Sequence, residues 1–170
     1  MKNIFSFIIL ACTLILSTSC SKDEVITNDS SVVGVWKLTN YNIGFSVDIN
    51  KDGTKDFNIL NEIDCVVNEE LVFKSNGTVA SNDSFHHTID ISKSDLNEAY
   101  VFNITCNEGY ISFATTYIQN NNNSVEFNDV ISIINNNQLT RVFENAIEIY
   151  NEDFTEIVEV KNLTLTYTKQ

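Results

Sequence analysis

Proline is absent from this chain of 170 residues and glycine occurs only 5 times, so neither can account for most of its turns. Arginine occurs once, at position 141, and 10 Lys plus Arg stand against 23 Asp plus Glu for a formal charge of −13. No basic run or stripe exists to neutralise phosphates. Nucleic acid and anionic lipid surfaces are therefore poor partners, and divalent cations are better ones. G-x-S-x-G, H-E-x-x-H, G-x-G-x-x-G and P-loop patterns are also missing, and the scattered glycines build no phosphate cradle. Nothing in the composition demands an enzyme.

The chain opens with Lys2, the apolar run IFSFIILACTLIL and the small residues STS ahead of Cys20. That run is too short to span a bilayer comfortably and reads as a secretory signal peptide over residues 1–19. Small residues before a cysteine suit lipoprotein signal peptidase, because the cysteine must accept diacylglycerol before cleavage frees its amine for a further acyl chain. Cys20 is thus the expected lipidated N-terminus, since stable anchoring takes more than one chain, and residues 20–31 form a tether. Leu16 sits one place further from the cysteine than this cut site prefers, and an ordinary secretory cut nearby is the competing expectation. The stretch SKDE resembles the Lys-plus-acidic export signal of surface lipoproteins in Bacteroidetes, with a solvated tether as the alternative. The expected location is the cell envelope, as an outer-membrane lipoprotein held to the membrane by its lipid.

Residues 32–170 remain, enough chain for one domain around one core. Of the 4 cysteines, Cys12 leaves with the signal and Cys20 goes to lipid, leaving Cys65 and Cys106. Two thiols in an exported chain usually pair. The bridge would close a loop of roughly forty residues and contribute about 3 to 4 kcal/mol; two separate buried thiols are the alternative.

Period two runs through nearly all of this domain and helical period through almost none. SVVGVWKLTNYNI sets Gly34, Trp36 and Leu38 on one face, and VKNLTLTYT alternates Leu163, Leu165 and Tyr167 with Thr164, Thr166 and Thr168. Between them ELVFKS, GTVAS, SFHHTIDIS, EAYVFNITC, GYISFATTYI, SVEFNDVISII and QLTRVFENAIEIY read as strands. Asparagine does the turning, in SNG at 75–77, NEG at 107–109, NNNN at 120–123 and NNN at 135–137. The expected fold is all-β, a small antiparallel up-and-down barrel or a two-sheet sandwich. Phe73, Phe102, Phe113, Phe127 and Tyr167 fall at core parity. His86 and His87 are strand neighbours pointing to opposite faces, so they cannot chelate one ion together. The pairs Glu69 with Glu70 and Glu152 with Asp153 read as solvated faces.

One stretch carries ligand chemistry, DINKDGTKDF at 48–57. In calcium-loop numbering Asp48, Asn50 and Asp52 occupy positions 1, 3 and 5, the Thr54 carbonyl position 7 and Asp56 position 9, with Gly53 at the sharp turn. Ile59 replaces the bidentate Glu of position 12 and no helices flank the loop, so it is not an EF-hand. Hard cations respond to the number and distance of oxygens, and Glu62 or Asp64 could complete the shell. A structural calcium site of weak affinity, on the order of 0.1 to 1 mM, competes with a solvated Asx-rich turn.

The tripeptide GVW at 34–36 matches the G-x-W of the first lipocalin strand. Taken with the cysteine-terminated leader, VVGVWKLTN, the Asp-rich loop, Cys65 and ELVFKSNGTV after it, the order resembles the lipocalin-like domain of Bacteroidetes lipoproteins over about residues 32–168. The resemblance implies a small barrel with an inner cavity, a glycine at 34 permitting close approach, and Trp36 plugging one end. Arg141 is the only arginine that could stack on that tryptophan. Two functions follow as expectations: a lipid-anchored module that binds a small apolar ligand in the barrel, or an accessory surface lipoprotein with a packed barrel that meets proteins or glycans through its loops. Large inward side chains would favour the second.

Overall fold

The computed structural model describes residues 32–97 and 99–170. The signal peptide expected over 1–19, Cys20 and the tether over 20–31 lie outside the described residues. The domain is all-β, with eleven strands and one short turn of 3-10 helix, Ile59–Asn61, among the described residues. In chain order the strands are β1 (Gly34–Asn42), β2 (Glu70–Phe73), β3 (Thr78–Ser81), β4 (His87–Lys93), β5 (Tyr100–Cys106) and β6 (Phe113–Thr116), then β7 (Ile118–Asn121), β8 (Ser124–Phe127), β9 (Val130–Asn135), β10 (Gln138–Asn151) and β11 (Ile157–Lys169).

Nine of these form one continuous path, β6-β3-β2-β1-β11-β10-β9-β8-β7. Its two ends, β6 and β7, are consecutive in the chain and joined through Tyr117 alone, so the sheet curls until it is nearly closed into a barrel. Tyr117 fastens the seam: its N–H donates to Gly77 O at 2.9 Å and its hydroxyl to Lys74 O at 2.9 Å. The stretches GYISFATTYI and SVEFNDVISII, each expected as one strand, are both divided. Tyr117 breaks the first, and Asn128 and Asp129 break the second with φ of 49° and 59°, the two consecutive positive values of a tight hairpin turn.

Trp36, Leu38, Leu71, Phe73, Val79, Val125, Phe127, Ile134, Leu139 and Tyr167 pack together inside the barrel. Burying a side chain of this kind contributes about 1.5 to 3 kcal/mol. Trp36, Phe73 and Tyr167 are 0%, 1% and 0% exposed, so large side chains fill the space in which the resemblance implied a cavity. The Trp36 indole N–H donates to Val32 O at 2.7 Å. The close approach expected at Gly34 is present: its φ is +134° and an added Cβ would meet Lys169 Cε at 3.1 Å.

The cation beside Trp36 is Lys169, whose Nζ lies 5.4 Å from the ring centroid, and not Arg141. Arg141 lies on β10, two strands from the β1 that carries Trp36, with its guanidinium 3.8 Å over the Phe127 ring and donating to Phe127 O at 3.2 Å. It is an interior residue of β10, in phase with Leu139 and Phe143, and so reaches the rings beside it.

β10 and β11 run beyond the barrel. Their register shifts between Phe143 and Ile147, where Asn145 takes φ 53° and its N–H donates to Asn162 Oδ1 at 2.9 Å. Past this irregularity Ile147 and Ile149 join Ile43, Val47, Ile59 and Ile91 in a second core, where one had been expected. The β4–β5 hairpin attaches there through a short parallel pairing of β4 with β10. The loop between β1 and β2, which carries the aspartates, closes over this second core through Val47 and Ile59.

Candidate functional site

Cys65 and Cys106 are joined, with their Cα atoms 5.4 Å apart. The bridge ties the approach to β2 to the end of β5, and beside it opens a cleft of about 500 Å3. Asp83, Ser84, Phe85, His86, Glu108 and Tyr110 line this cleft with the disulfide. Its two walls are held in place by the chain itself. Ser84 N–H donates to Ile111 O at 2.7 Å, and the His86 ring spans from Ser84 O, 3.0 Å from Nδ1, to Glu108 O, 3.3 Å from Nε2. Phe85 N–H donates to Glu69 Oε2 at 2.8 Å, which fixes the same wall to the barrel interior.

Ser84 Oγ is buried and has no hydrogen-bond partner, so His86 makes no nucleophile–base pair with it. His87 points the other way, as its alternation with His86 requires. Its ring stacks on Phe85 at 4.4 Å and meets Tyr41 edge-on at 4.9 Å. Burial, then the neighbouring His86, lowers its pKa.

Behind this wall lies a polar cluster that contradicts the expected solvated face at Glu69. Glu69 is 7% exposed and accepts a 2.6 Å hydrogen bond from the Tyr167 hydroxyl. Its inward position follows from phase: residue 69 alternates with Leu71 and Phe73, both buried. Burial raises the Glu69 pKa against the lowering effects of the Tyr167 and Phe85 donors and the Arg141 charge. Tyr167 is pushed well above the usual phenol range by burial and by Glu69, and Tyr41 is pushed up to about 12 by burial and then by Glu69. Glu70, Glu152 and Asp153 are exposed, as expected.

The aspartate loop is a separate assembly. Asp48 Oδ2 accepts from Gly53 N–H at 3.1 Å, Asn50 Oδ1 from Asp52 N–H at 2.9 Å, and Asp52 Oδ1 from Thr54 N–H at 2.7 Å. Lys51 and Gly53 take φ of 62° and 89° to make the turn. Val47 and Asp56 pair through their backbones and close its base. Glu62, 4% exposed, reaches back to accept from Ile49 N–H at 3.0 Å, whereas the exposed Asp64 makes no such contact with the loop among the bonds described. Asp56 is turned to Asn58 N–H and the Asn61 amide, at 2.8 and 2.6 Å, and these donors lower its pKa. Asp48 Oδ1 is buried without a partner. Among the described residues no three His, Cys, Asp or Glu side chains converge as a preformed metal cage.

No family model matches the chain, and neither the curated proteins nor the solved structures contain a match.

Proposed function

We propose that this chain is a lipid-anchored binding module of the cell envelope, held at Cys20, whose ligand occupies the cleft beside the disulfide and not the barrel interior. The observation that carries this reading is the cleft itself: about 500 Å3, with walls held by the disulfide and by the hydrogen bonds of Ser84 N–H, the His86 ring and Phe85 N–H. The filled barrel argues against the apolar ligand implied by the resemblance to lipocalins, because Trp36, Phe73 and Tyr167 occupy that space. Binding rather than catalysis is the role read here, since Ser84 and His86 form no activated pair.

The same filled barrel favours a second reading, an accessory surface lipoprotein that meets its partners through loops. Two measurements separate these ideas and test the anchor. Metabolic labelling with a fatty-acid analogue should mark the wild type and not Cys20→Ala; absence of label from both ends the lipoprotein reading. In the mature chain, small-molecule probes should shift the amide resonances of residues 83–86 and 107–110. Probes that leave these resonances still at millimolar concentration favour the accessory role.

We also propose that the loop from Asp48 to Asp56 holds a calcium ion. Asp48 Oδ1 has no partner, and Asp48, Asn50 and Asp52 each present one oxygen to a backbone N–H while belonging to a single tight turn. Asp48, Asn50, Asp52 and the Thr54 carbonyl would hold the ion, with Glu62 buried at the base of the loop. Calcium there would neutralise the crowded carboxylates and brace the loop.

A further inference from the structure

The solvent side of β9 is apolar where its inner side is polar. Ser132 is 0% exposed inside the barrel, whereas Ile131 and Ile133 on the outer face are 57% and 54% exposed. An antiparallel sheet with water on one face ordinarily alternates the other way. The apolar surface continues over the neighbouring strands. Val142, 44% exposed, lies beside Ile131, because Arg141 and Ser132 are paired one step earlier along the same two strands. On the other side Glu126 pairs with both Ile131 and Ile118, and Ile118 is 65% exposed. Side chains opposite one another on a sheet face stand about 5 Å apart. These residues therefore form one patch, the arrangement that marks a contact surface, and not scattered apolar positions.

The charge of the patch says what covers it. Glu126 stands between Ile118 and Ile131, and Glu144 follows Val142 two places along the outer side of β10. β7, β8 and β9 contain no Lys or Arg, and the one arginine of β10, Arg141, is buried in the barrel. Whatever covers the isoleucines takes Glu126 out of water, and a carboxylate so covered is costly unless a cation meets it. A second copy meeting this face brings Glu126 and Glu144 but no Lys or Arg, and like charges across an interface repel. The apolar depth of a bilayer offers Glu126 no cation. We infer that the outer face of β7–β10 docks a partner protein whose surface sets Lys or Arg side chains among apolar ones, with a cation opposite Glu126. This face shares no residue with the cleft beside the disulfide, so the two stand or fall separately.

Titration of the mature chain with two short synthetic peptides, one alternating Ile with Lys and one alternating Ile with Glu, tests the inference. The Ile/Lys peptide should move the amide resonances of residues 124–126, 131–133 and 140–144, and the Ile/Glu peptide should not. Its binding should weaken about fivefold or more in Ile131→Thr/Ile133→Thr and in Glu126→Gln. The isoleucine positions are exposed and threonine keeps the β-branch, so the fold is retained. Binding unchanged within twofold is expected in Glu152→Gln/Asp153→Asn, whose carboxylates lie off this face. Equal weakening in the two sets of charge variants would mean general attraction to an acidic surface and would overturn the proposal. A wild-type dimer in analytical ultracentrifugation that Ile131→Thr/Ile133→Thr dissolves would give the patch to a second copy. Pelleting with phosphatidylcholine vesicles, lost in the same variant, would give it to lipid. Either result overturns the proposal, as does the absence of Ile/Lys peptide binding.

Discussion

Tyr167, near the end of the last strand, donates its hydroxyl to Glu69 Oε1 across 2.6 Å inside the barrel. The two residues are 98 positions apart, and their contact closes a network that continues through Glu69 Oε2 to Phe85 N–H at the wall of the cleft. A carboxylate buried beside one tyrosine, one amide and the charge of Arg141 joins barrel and cleft into one mechanical unit.

Tyr167→Phe should therefore cost about 1 to 3 kcal/mol, the penalty of leaving a buried acceptor without its donor. Urea unfolding followed by tryptophan fluorescence measures it, since Trp36 lies in the same core. Replacing both partners, as Tyr167→Phe/Glu69→Leu, should cost less than the two single changes added together. Strict additivity would mean that the contact carries no coupling.

The raised Glu69 pKa gives stability a definite slope with pH. Below its ordinary value of 4.5 the carboxyl is protonated in both folded and unfolded chains, and burying it costs little. As the pH climbs from there through the raised folded value, the folded state must bury a charge that the unfolded state leaves in water, so this contribution is lost. The difference in stability between Glu69→Gln and wild type should shift in favour of the variant as pH rises across that window. Taking the difference removes the opposite slope from carboxylates whose pKa is lowered, such as Asp56 and Glu159. A difference that is flat with pH would show that Glu69 titrates as a solvated acid.

Alternation in the sequence was enough for the strands, because a half-buried strand writes its two faces into successive residues. It also held the interior network, unread. Glu69 is in phase with Leu71 and Phe73, and Arg141 with Leu139 and Phe143, so parity alone placed both charges inside; the charge of Glu69 argued for solvent, and hydrogen bonding decided otherwise. The Asn128–Asp129 hairpin was likewise present as two turn residues between alternating runs. The second core was not legible. It depends on β10 and β11 outrunning the barrel and on β4 pairing with β10 in parallel, contacts between segments far apart in the chain. Nor could spacing show that Ser84 Oγ would be left without a partner beside the disulfide.

The bridge between Cys65 and Cys106 closes a sequence separation of 41, for which chain entropy gives about 4 kcal/mol. Cys65→Ala/Cys106→Ala should lose about 2 to 4 kcal/mol in urea while keeping its β-sheet circular dichroism, because no strand pairing of the barrel depends on the bond. Amide exchange should quicken most in residues 65–68 and 104–110. An unchanged unfolding midpoint would mean that the bridge constrains nothing the fold does not already hold.

Calcium provides the test of the aspartate loop. Asp48 and Asp52 are brought into one turn by their bonds to Gly53 and Thr54, so their charges repel until a cation answers them. An ion that binds only this folded turn stabilises by mass action, by about 2.7 kcal/mol at a hundredfold excess over its dissociation constant. The melting temperature should therefore climb between chelator and several millimolar calcium, reckoned from an affinity on the order of 0.1 to 1 mM. Magnesium should do less, because its octahedral demand and firmly held waters suit such a loop poorly. Asp48→Asn/Asp52→Asn keeps one side-chain carbonyl at each position to accept from Gly53 and Thr54 while removing both charges. That variant should melt like the calcium-free wild type or slightly above it, and should ignore added calcium. A wild-type melt that does not move up to several millimolar calcium would assign the loop to turn formation alone.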